Sequence, residues 1–371
     1  MNEYCKGKKF TIGLGMTSLC NMNCSFCYSI QRRTECFHIS LTDWIDFFDN
    51  NAKFISNINY GTGENTLFEE WYLLIDYINR IDYTIGQALT TNGTLSDVII
   101  QDSKKKEIID KCISDIDVSL DFGIAEMHNY FRGHSRAYEM AINTLKYCKE
   151  TGKNTTIVLM GIDQTLEIKN LERVFDIAYK YDALVRINLY RNVNSNTDLL
   201  PPEFKIIIQA LDWIDKHHEI CSLSDPLFAS CFTVDKISDD MSGKNSLRIL
   251  PDGSIYPSTY LIDKKFSLGM IKDGIDLNNI IKNKVIDNII DIIPEDCDGC
   301  EIVNRCKGGA IDRRILVYGT IKKKDPYCPV LHGELPLLRQ YKLSAPPFNS
   351  IHDGYLPTLF FKAKRVDYAR L

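Results

Sequence analysis

The sequence predicts an α/β chain, an incomplete (β/α)6 barrel followed by a smaller cysteine-rich α+β region. Two observations carry this reading. From residue 9 to about residue 217, strand-like runs alternate with amphipathic helical stretches in about six units, the pattern of parallel strands joined by right-handed crossovers. After His218 the alternation gives way to a hairpin signal and clustered cysteines. Six units fall short of a closed eight-unit barrel, so an open array is expected, with its chemistry on loops at the C-terminal ends of the strands.

The elements follow in order. Phe10–Met16 is apolar and punctuated by glycine, as a buried parallel strand would be. Leu41–Asn51 has a helical pattern, with Ser40 and Asp43 spaced as a capping box. Ile55–Tyr60 reads as a strand, Phe68–Asn79 as a helix, and Ile85–Thr91 as a strand closed by the turn pair Asn92-Gly93. Ser96–Ile113 reads as one helix, Ile116–Leu120 as a strand and Ala137–Glu150 as a helix. Thr155–Met160, Leu166–Tyr181 and Leu184–Tyr190 continue the alternation, and Pro201-Pro202 opens a helix reaching His217. Beyond it, Ser246–Leu250 and Ser254–Tyr256 flank Pro251-Asp252-Gly253, a hairpin signal. A helical stretch around Leu277–Ile293 precedes the last cysteines. The expected division is residues 1–218, 219–330 and a tail, 331–371, that packs on the body or binds a partner.

Composition narrows the class. With 44% hydrophobic and 25% charged residues, the chain resembles an ordinary globular protein. A net charge of −5 disfavours a nonspecific nucleic-acid binder. No apolar run is long enough to span a bilayer, and the N-terminus lacks a signal core, so a cytoplasmic protein is expected. In a reducing compartment thirteen cysteines suit metal ligation or burial better than a disulfide framework.

Three of them, Cys20, Cys24 and Cys27, lie within eight residues, directly after the first strand. Three thiolates leave one iron of a cubane cluster without a protein ligand, which is useful where that iron does chemistry. A zinc site completed by a distant residue and simple packing are the alternatives. The spacing C-x3-C-x2-C, with Phe26 before the third cysteine, resembles the signature of the radical S-adenosylmethionine (SAM) superfamily. The resemblance covers roughly residues 1–215. It implies a [4Fe-4S] cluster at Cys20, Cys24 and Cys27 whose open iron is chelated by SAM. Gly63 and Glu64, after the second strand, match the family's Gly-Gly-Glu-Pro stretch, while Thr62 and Asn65 depart from it. Ser119, on the fourth strand, would meet the ribose or carboxylate side of SAM. Arg132 or Arg136 would pair with its carboxylate, as a bidentate guanidinium can. His128 and Asp121 are read as orienting that loop.

Cys297, Cys300, Cys306 and Cys328 read C-x2-C-x5-C…C, four thiolates suited to a closed metal site, zinc or iron–sulfur. The stretch resembles the SPASM extension of peptide-modifying radical SAM enzymes, giving a small cysteine-ligated SPASM-like domain. Two of that extension's cysteines are replaced by Ser258 and Ala310. One auxiliary [4Fe-4S] cluster is therefore expected, at Cys297, Cys300, Cys306 and Cys328. Cys221 and Cys231 are read as core residues before relics of a second site. Thr259 stands where sulfatase-maturing members place an acid, which argues against that activity.

The resemblance implies cleavage of SAM to a 5′-deoxyadenosyl radical, driven by an external one-electron reductant, and modification of a ribosomally made precursor peptide by crosslinking, excision or related C–H chemistry. About eight residues precede the first strand, so a separate leader-binding protein is the expected partner. A radical SAM enzyme acting on a small molecule such as a sugar is the second reading. A non-catalytic iron–sulfur or zinc protein is the third. Tyr190, Arg191 and Tyr256 are candidates for lining the cavity, with core packing an equal explanation; no proton-handling residue is identified.

Overall fold

The computed structural model describes residues 10–29, 38–193, 197–234, 236, 239–335 and 339–366. Six parallel strands lie side by side in chain order: β1 (Phe10–Leu14), β2 (Ile55–Tyr60), β3 (Gly86–Thr91), β4 (Asp115–Ser119), β5 (Asn154–Gly161) and β6 (Leu184–Leu189). They are separated by helices, so the expected partial barrel is present. Five further strands extend it among the described residues: β7 (Glu219–Leu223), β8 (Ser246–Ile249), β9 (Ser254–Tyr256), β10 (Gly269–Met270) and β11 (Leu359–Lys362).

These additions change both edges. The β8–β9 hairpin does not stand apart: β8 pairs parallel with β1, setting Arg248 opposite Gly13. At the other edge β11 inserts antiparallel between β6 and β7. The late chain thus walls the barrel on both sides of its opening.

The parallel strands do not read as uniformly apolar, and their alternation explains why. Ile116, Val118, Ile157, Leu159, Val185 and Ile187 are buried in the main core. The intervening Ser119, Val158, Met160, Arg186 and Asn188 border an internal cavity, as the two-residue period of a strand requires. A parallel sheet covered on both faces would be apolar throughout; here one face lines a lumen where Ser119, Arg186 and Asn188 stand among apolar side chains.

Local chemistry sets the helix ends. The Ser40 hydroxyl accepts from Asp43 N, and the Asp43 carboxylate accepts from Ser40 N, completing the expected capping box of helix Leu41–Asn51. The single helix expected over Ser96–Ile113 is instead two, Leu95–Gln101 and Ser103–Cys112. Asp102 between them is extended, and its carboxylate accepts from Lys104 N and Lys105 N, restarting the helix. Likewise the stretch 277–293 breaks into the short turns Leu277–Ile280 and Lys284–Asp287, the second capped by Asn283. Helix Ala125–Arg132, β7 and helix Pro226–Phe232 were not foreseen. Among the described residues no helix is long and apolar enough to cross a membrane.

Candidate active site

The chain leaves β1 through Met16 and Thr17 and enters the three-cysteine loop. Cys24 is buried, whereas Cys20 and Cys27 are partly exposed. All three border one cavity of about 160 Å³ at the C-terminal end of the sheet. Backbone and side-chain contacts fix the loop. Cys27 N donates to Cys24 O at 3.3 Å. Asn92 Nδ2 lies 3.5 Å from Cys20 Sγ and 2.9 Å from Asn21 Oδ1. Cys27 Sγ is 3.2 Å from Ser29 Oγ. Burial pushes the Cys24 thiol up to about 11, against the pull of Arg132 and with a contribution from Cys27 and Cys20.

Phe26 fills the space under the loop. It stacks on Phe131 at 4.3 Å between ring centroids, and the Arg132 guanidinium lies 5.2 Å from its centre. Tyr28 reaches across to β2, where its hydroxyl donates to Gly61 O at 3.2 Å.

The end of β2 makes the cavity's next wall. Gly63 has φ +65°, and a β-carbon there would sit 2.5 Å from Thr17 O and 2.6 Å from Leu19 O. Only glycine allows the two loops to approach so closely. The departures at Thr62 and Asn65 are accommodated locally. Gly15 leaves room for Thr62, and Asn65 Oδ1 accepts from Met16 N at 3.4 Å. Glu64 borders the cavity but is almost wholly buried, and its oxygens are already in use. They accept from Thr66 Oγ1 at 2.6 Å, Thr91 Oγ1 at 2.9 Å and Asn92 N at 2.8 Å. Burial pushes this carboxyl up while those donors pull it down. Its visible role is to tie the ends of β2 and β3 together.

From β4, Ser119 faces the same cavity. Arg132 borders it too, and its Nε donates to Asp121 at 2.6 Å. His128 is buried behind this pair and accepts from Asp121 N at 3.2 Å; burial lowers it to about 4. Neutral and enclosed, it orients the loop. Arg136 is placed elsewhere: it is half-exposed and paired with Asp97 and Glu139. Phe26, Gly63, Glu64, Ser119 and Arg132 are therefore brought to the cysteine cavity, and Arg136 is not.

The sequence of residues 14–174 matches the family described as the Radical SAM superfamily. The chain carries a radical SAM domain. Fe-coproporphyrin III synthase of Methanosarcina barkeri is 24% identical over 384 residues, covering 90% of this chain and 91% of that protein. The antilisterial bacteriocin subtilosin biosynthesis protein AlbA of Bacillus subtilis is 23% identical over 267 residues, 69% of this chain and 56% of AlbA. This chain thus matches little more than half the length of AlbA. Among solved structures, Streptococcus suis SuiB bound to S-adenosylmethionine superposes with a TM-score of 0.68 at 17% identity, over 87% of this chain and 77% of SuiB. SuiB bound to its precursor peptide SuiA gives 0.65 at 16% identity, over 87% of this chain and 76% of that one. Covering 87% of this chain, the superposition runs well past residue 174, so the likeness in fold includes part of the C-terminal region.

In that region Cys297, Cys300, Cys306 and Cys328 come together. Cys300 N donates to Cys297 O at 3.1 Å. Burial raises the Cys297 thiol to about 11, with Cys306, Cys328 and Cys300 close enough to add to the rise. Lys307, Gly308 and Gly309, all with positive φ, swing the chain around Cys306. Gly309 is required there, because a β-carbon would lie 2.4 Å from Asp325. Arg313, paired with Asp225 and Asp325, braces the loop that carries Cys328. Ser258 and Ala310 are both buried. Cys231, fully buried, adjoins Cys306 and Cys328; Cys221 lies apart, in a small cluster with Leu184 and Phe360. Among the described residues, no three His, Cys, Asp or Glu side chains converge tightly enough to enclose a single metal ion.

Adjoining the cysteine cavity of the radical SAM domain, and sharing Phe26, Tyr28 and Met160 with it, is a second chamber of about 110 Å³ that sequence reading found only in part. Tyr190 and Arg191 line it, whereas Tyr256 does not. Arg186, Arg248 and Tyr355 were missed, because they meet only when β8 joins β1 and the late chain folds over the barrel. A β-carbon on Gly13 would lie 1.5 Å from Tyr355 Oη and 2.7 Å from Arg248 Nη1. A glycine in the middle of a buried strand, facing the lumen, was the available signal.

Proposed function

We propose that this chain is a radical SAM enzyme that acts on a precursor peptide, with a [4Fe-4S] cluster at Cys20, Cys24 and Cys27 and one auxiliary [4Fe-4S] cluster at Cys297, Cys300, Cys306 and Cys328. The observation that carries the reading is the convergence of Cys20, Cys24, Cys27, Gly63, Ser119 and Arg132 on one cavity. The donor set fits the group. Three sulfurs on one loop leave a coordination position open. Asn92 offers an N–H toward Cys20 Sγ, the kind of contact that tunes a cluster.

Bound there, a reduced cluster and SAM supply a 5′-deoxyadenosyl radical, the hard part of the chemistry. The chain's own residues bind and shield. Gly63 lets backbone approach the ligand closely. Arg132, held by Asp121, offers a charge-assisted contact to the SAM carboxylate, and Ser119 a hydroxyl beside it. The apolar faces of Phe26, Val158 and Met160 exclude water around the reacting carbon.

The peptide substrate is supported by SuiB, solved with its precursor peptide, and by AlbA, a bacteriocin biosynthesis protein. An external one-electron reductant and a separate leader-binding protein complete the proposal. A second reading, a small-molecule substrate, is favoured by the Methanosarcina relative, which aligns over nine-tenths of both chains. The test is anaerobic reconstitution, reduction and incubation with SAM and short peptides encoded beside the gene, or with coproporphyrin-type tetrapyrroles. Mass spectrometry then reports which substrate changes mass. A peptide product supports the first reading and a tetrapyrrole product the second.

A further inference from the structure

Three guanidinium groups, Arg186 from β6, Arg191 just beyond it and Arg248 from β8, line the chamber beyond the cysteine cavity, and all three are buried. None of the described residues lining that chamber is Asp or Glu. Two of the arginines lean on carboxylates behind the wall. Arg186 Nη2 is 2.5 Å from Asp117, and Arg191 Nε is 2.8 Å from Asp312. Arg248 has no carboxylate within ion-pair distance among the described residues. It donates from Nη2 to Tyr28 Oη at 3.0 Å and lies beside Tyr355.

Hydrogen-bonding capacity is left over on each. Arg248 Nε, Arg186 Nε and Nη1, and Arg191 Nη2 are buried without a partner. Such groups are costly to leave unpaired, and a guanidinium cannot escape the cost by losing its proton. Burial pushes Asp117, the carboxylate paired with Arg186, up to about 7 against the pull of that guanidinium. The chamber is also purpose-built, because Gly13 is the position that lets Arg248 and Tyr355 enter the lumen. Tyr28 stands between the two spaces, lining both.

We propose that this chamber is the substrate pocket and that it recognises a carboxylate, received by Arg248 with Arg186 and Arg191 completing a positive wall. The inference rests on the radical SAM reading of the adjoining cavity and deepens it by naming the substrate's chemical class. The carboxylate comes from an acidic residue or C-terminus of a peptide, or from an acid side chain of a small molecule. In either case it anchors the substrate beside the cysteine cavity, where positioning counts most.

The test compares acids with their neutral counterparts. Iron coproporphyrin III, a tetracarboxylate, and its tetramethyl ester are titrated into the reconstituted protein and followed by absorbance. A dye-labelled Ala-Gly octapeptide with two central Glu residues, and its Gln counterpart, are followed by fluorescence anisotropy. The expected result is that one acid binds about tenfold or more tighter than its neutral partner. Arg248→Met removes that preference, while Arg80→Met, on an exposed helix end, keeps it. The pair that discriminates identifies the source of the carboxylate. The proposal is overturned if neither acid is preferred by the wild-type protein, a comparison that needs no variant. It is equally overturned if the preference survives in folded Arg248→Met, or if that change weakens SAM binding instead. Cleavage of SAM by the wild-type protein without substrate reports separately on the radical SAM reading.

Discussion

The two cysteine regions of this chain are built to opposite ends. The loop after β1 carries three thiols that border a cavity of about 160 Å³, with partly exposed Cys20 and Cys27 facing it. The C-terminal set has four, of which Cys297, Cys306 and Cys328 are buried and Cys300 is partly exposed; Cys306 alone of them borders a small neighbouring cavity of about 20 Å³. The first set is flanked by groups suited to a ligand: a glycine with positive φ, a serine and a preoriented arginine. The second is braced by Arg313 and its two carboxylates and by glycine turns that wrap the chain around the sulfurs. Sulfur chemistry alone therefore does not make a reaction centre. Space and ligand-binding groups beside the sulfurs are what set the first region apart from the second.

That contrast can be tested from the C-terminal side. The two sites together predict about eight irons per chain after anaerobic reconstitution, and Cys306→Ala should retain about four. The reduced variant should still change its electron paramagnetic resonance signal on adding SAM. A loss of all iron would mean the two sites are not independent, and one zinc with about four irons in the wild type would replace the auxiliary cluster by a zinc knuckle.

The next effect belongs to the open site. Gly63→Ala forces a β-carbon to 2.5 Å from Thr17 O at φ +65°, a conformation that costs an L-residue roughly 1–2 kcal/mol. SAM affinity should fall about tenfold or more, measured by equilibrium dialysis, with the C-terminal iron unchanged. Unchanged affinity would separate the glycine from the cofactor site.

The smallest effect sharpens the closed site. Cys231 adjoins Cys306 and Cys328 but is read as a core thiol. Cys231→Ala should leave the iron count at about eight and lower stability by about 1 kcal/mol in denaturant unfolding. Losing about four irons would instead make it a ligand.

Much of this was legible in the sequence, for identifiable reasons. The βα alternation, the Ser40–Asp43 box and the cysteine spacings are local patterns, and local patterns fix local structure. Gly63, Ser119 and Arg132 were singled out by stretches that resemble radical SAM motifs; Ser119 closes β4 and Gly63 follows β2, where the fold gathers chemistry, whereas Arg132 closes the helix Ala125–Arg132. Arg136 was misplaced because sequence separation could not distinguish it from Arg132. Spacing alone could not tell which side of Gly133 turns toward the barrel, and in the fold Arg136 instead meets Asp97 across a helix pair. The arginine chamber was out of reach for another reason. Arg186, Arg248 and Tyr355 come from three distant segments, joined by the pairing of β8 with β1 and by the return of the last residues over the lumen. The split of Ser96–Ile113 turned on one side chain, Asp102, whose capping bonds outcompete helix continuation.

The central claim is that the three-cysteine loop is the site where SAM is cleaved. The most direct measurement is 5′-deoxyadenosine produced per chain by anaerobically reconstituted, dithionite-reduced protein given SAM, with Cys24→Ala alongside. The account predicts product from the wild type and a loss of about a hundredfold or more in the variant, whose other thiols cannot hold the cluster. Equal product from both proteins would contradict it.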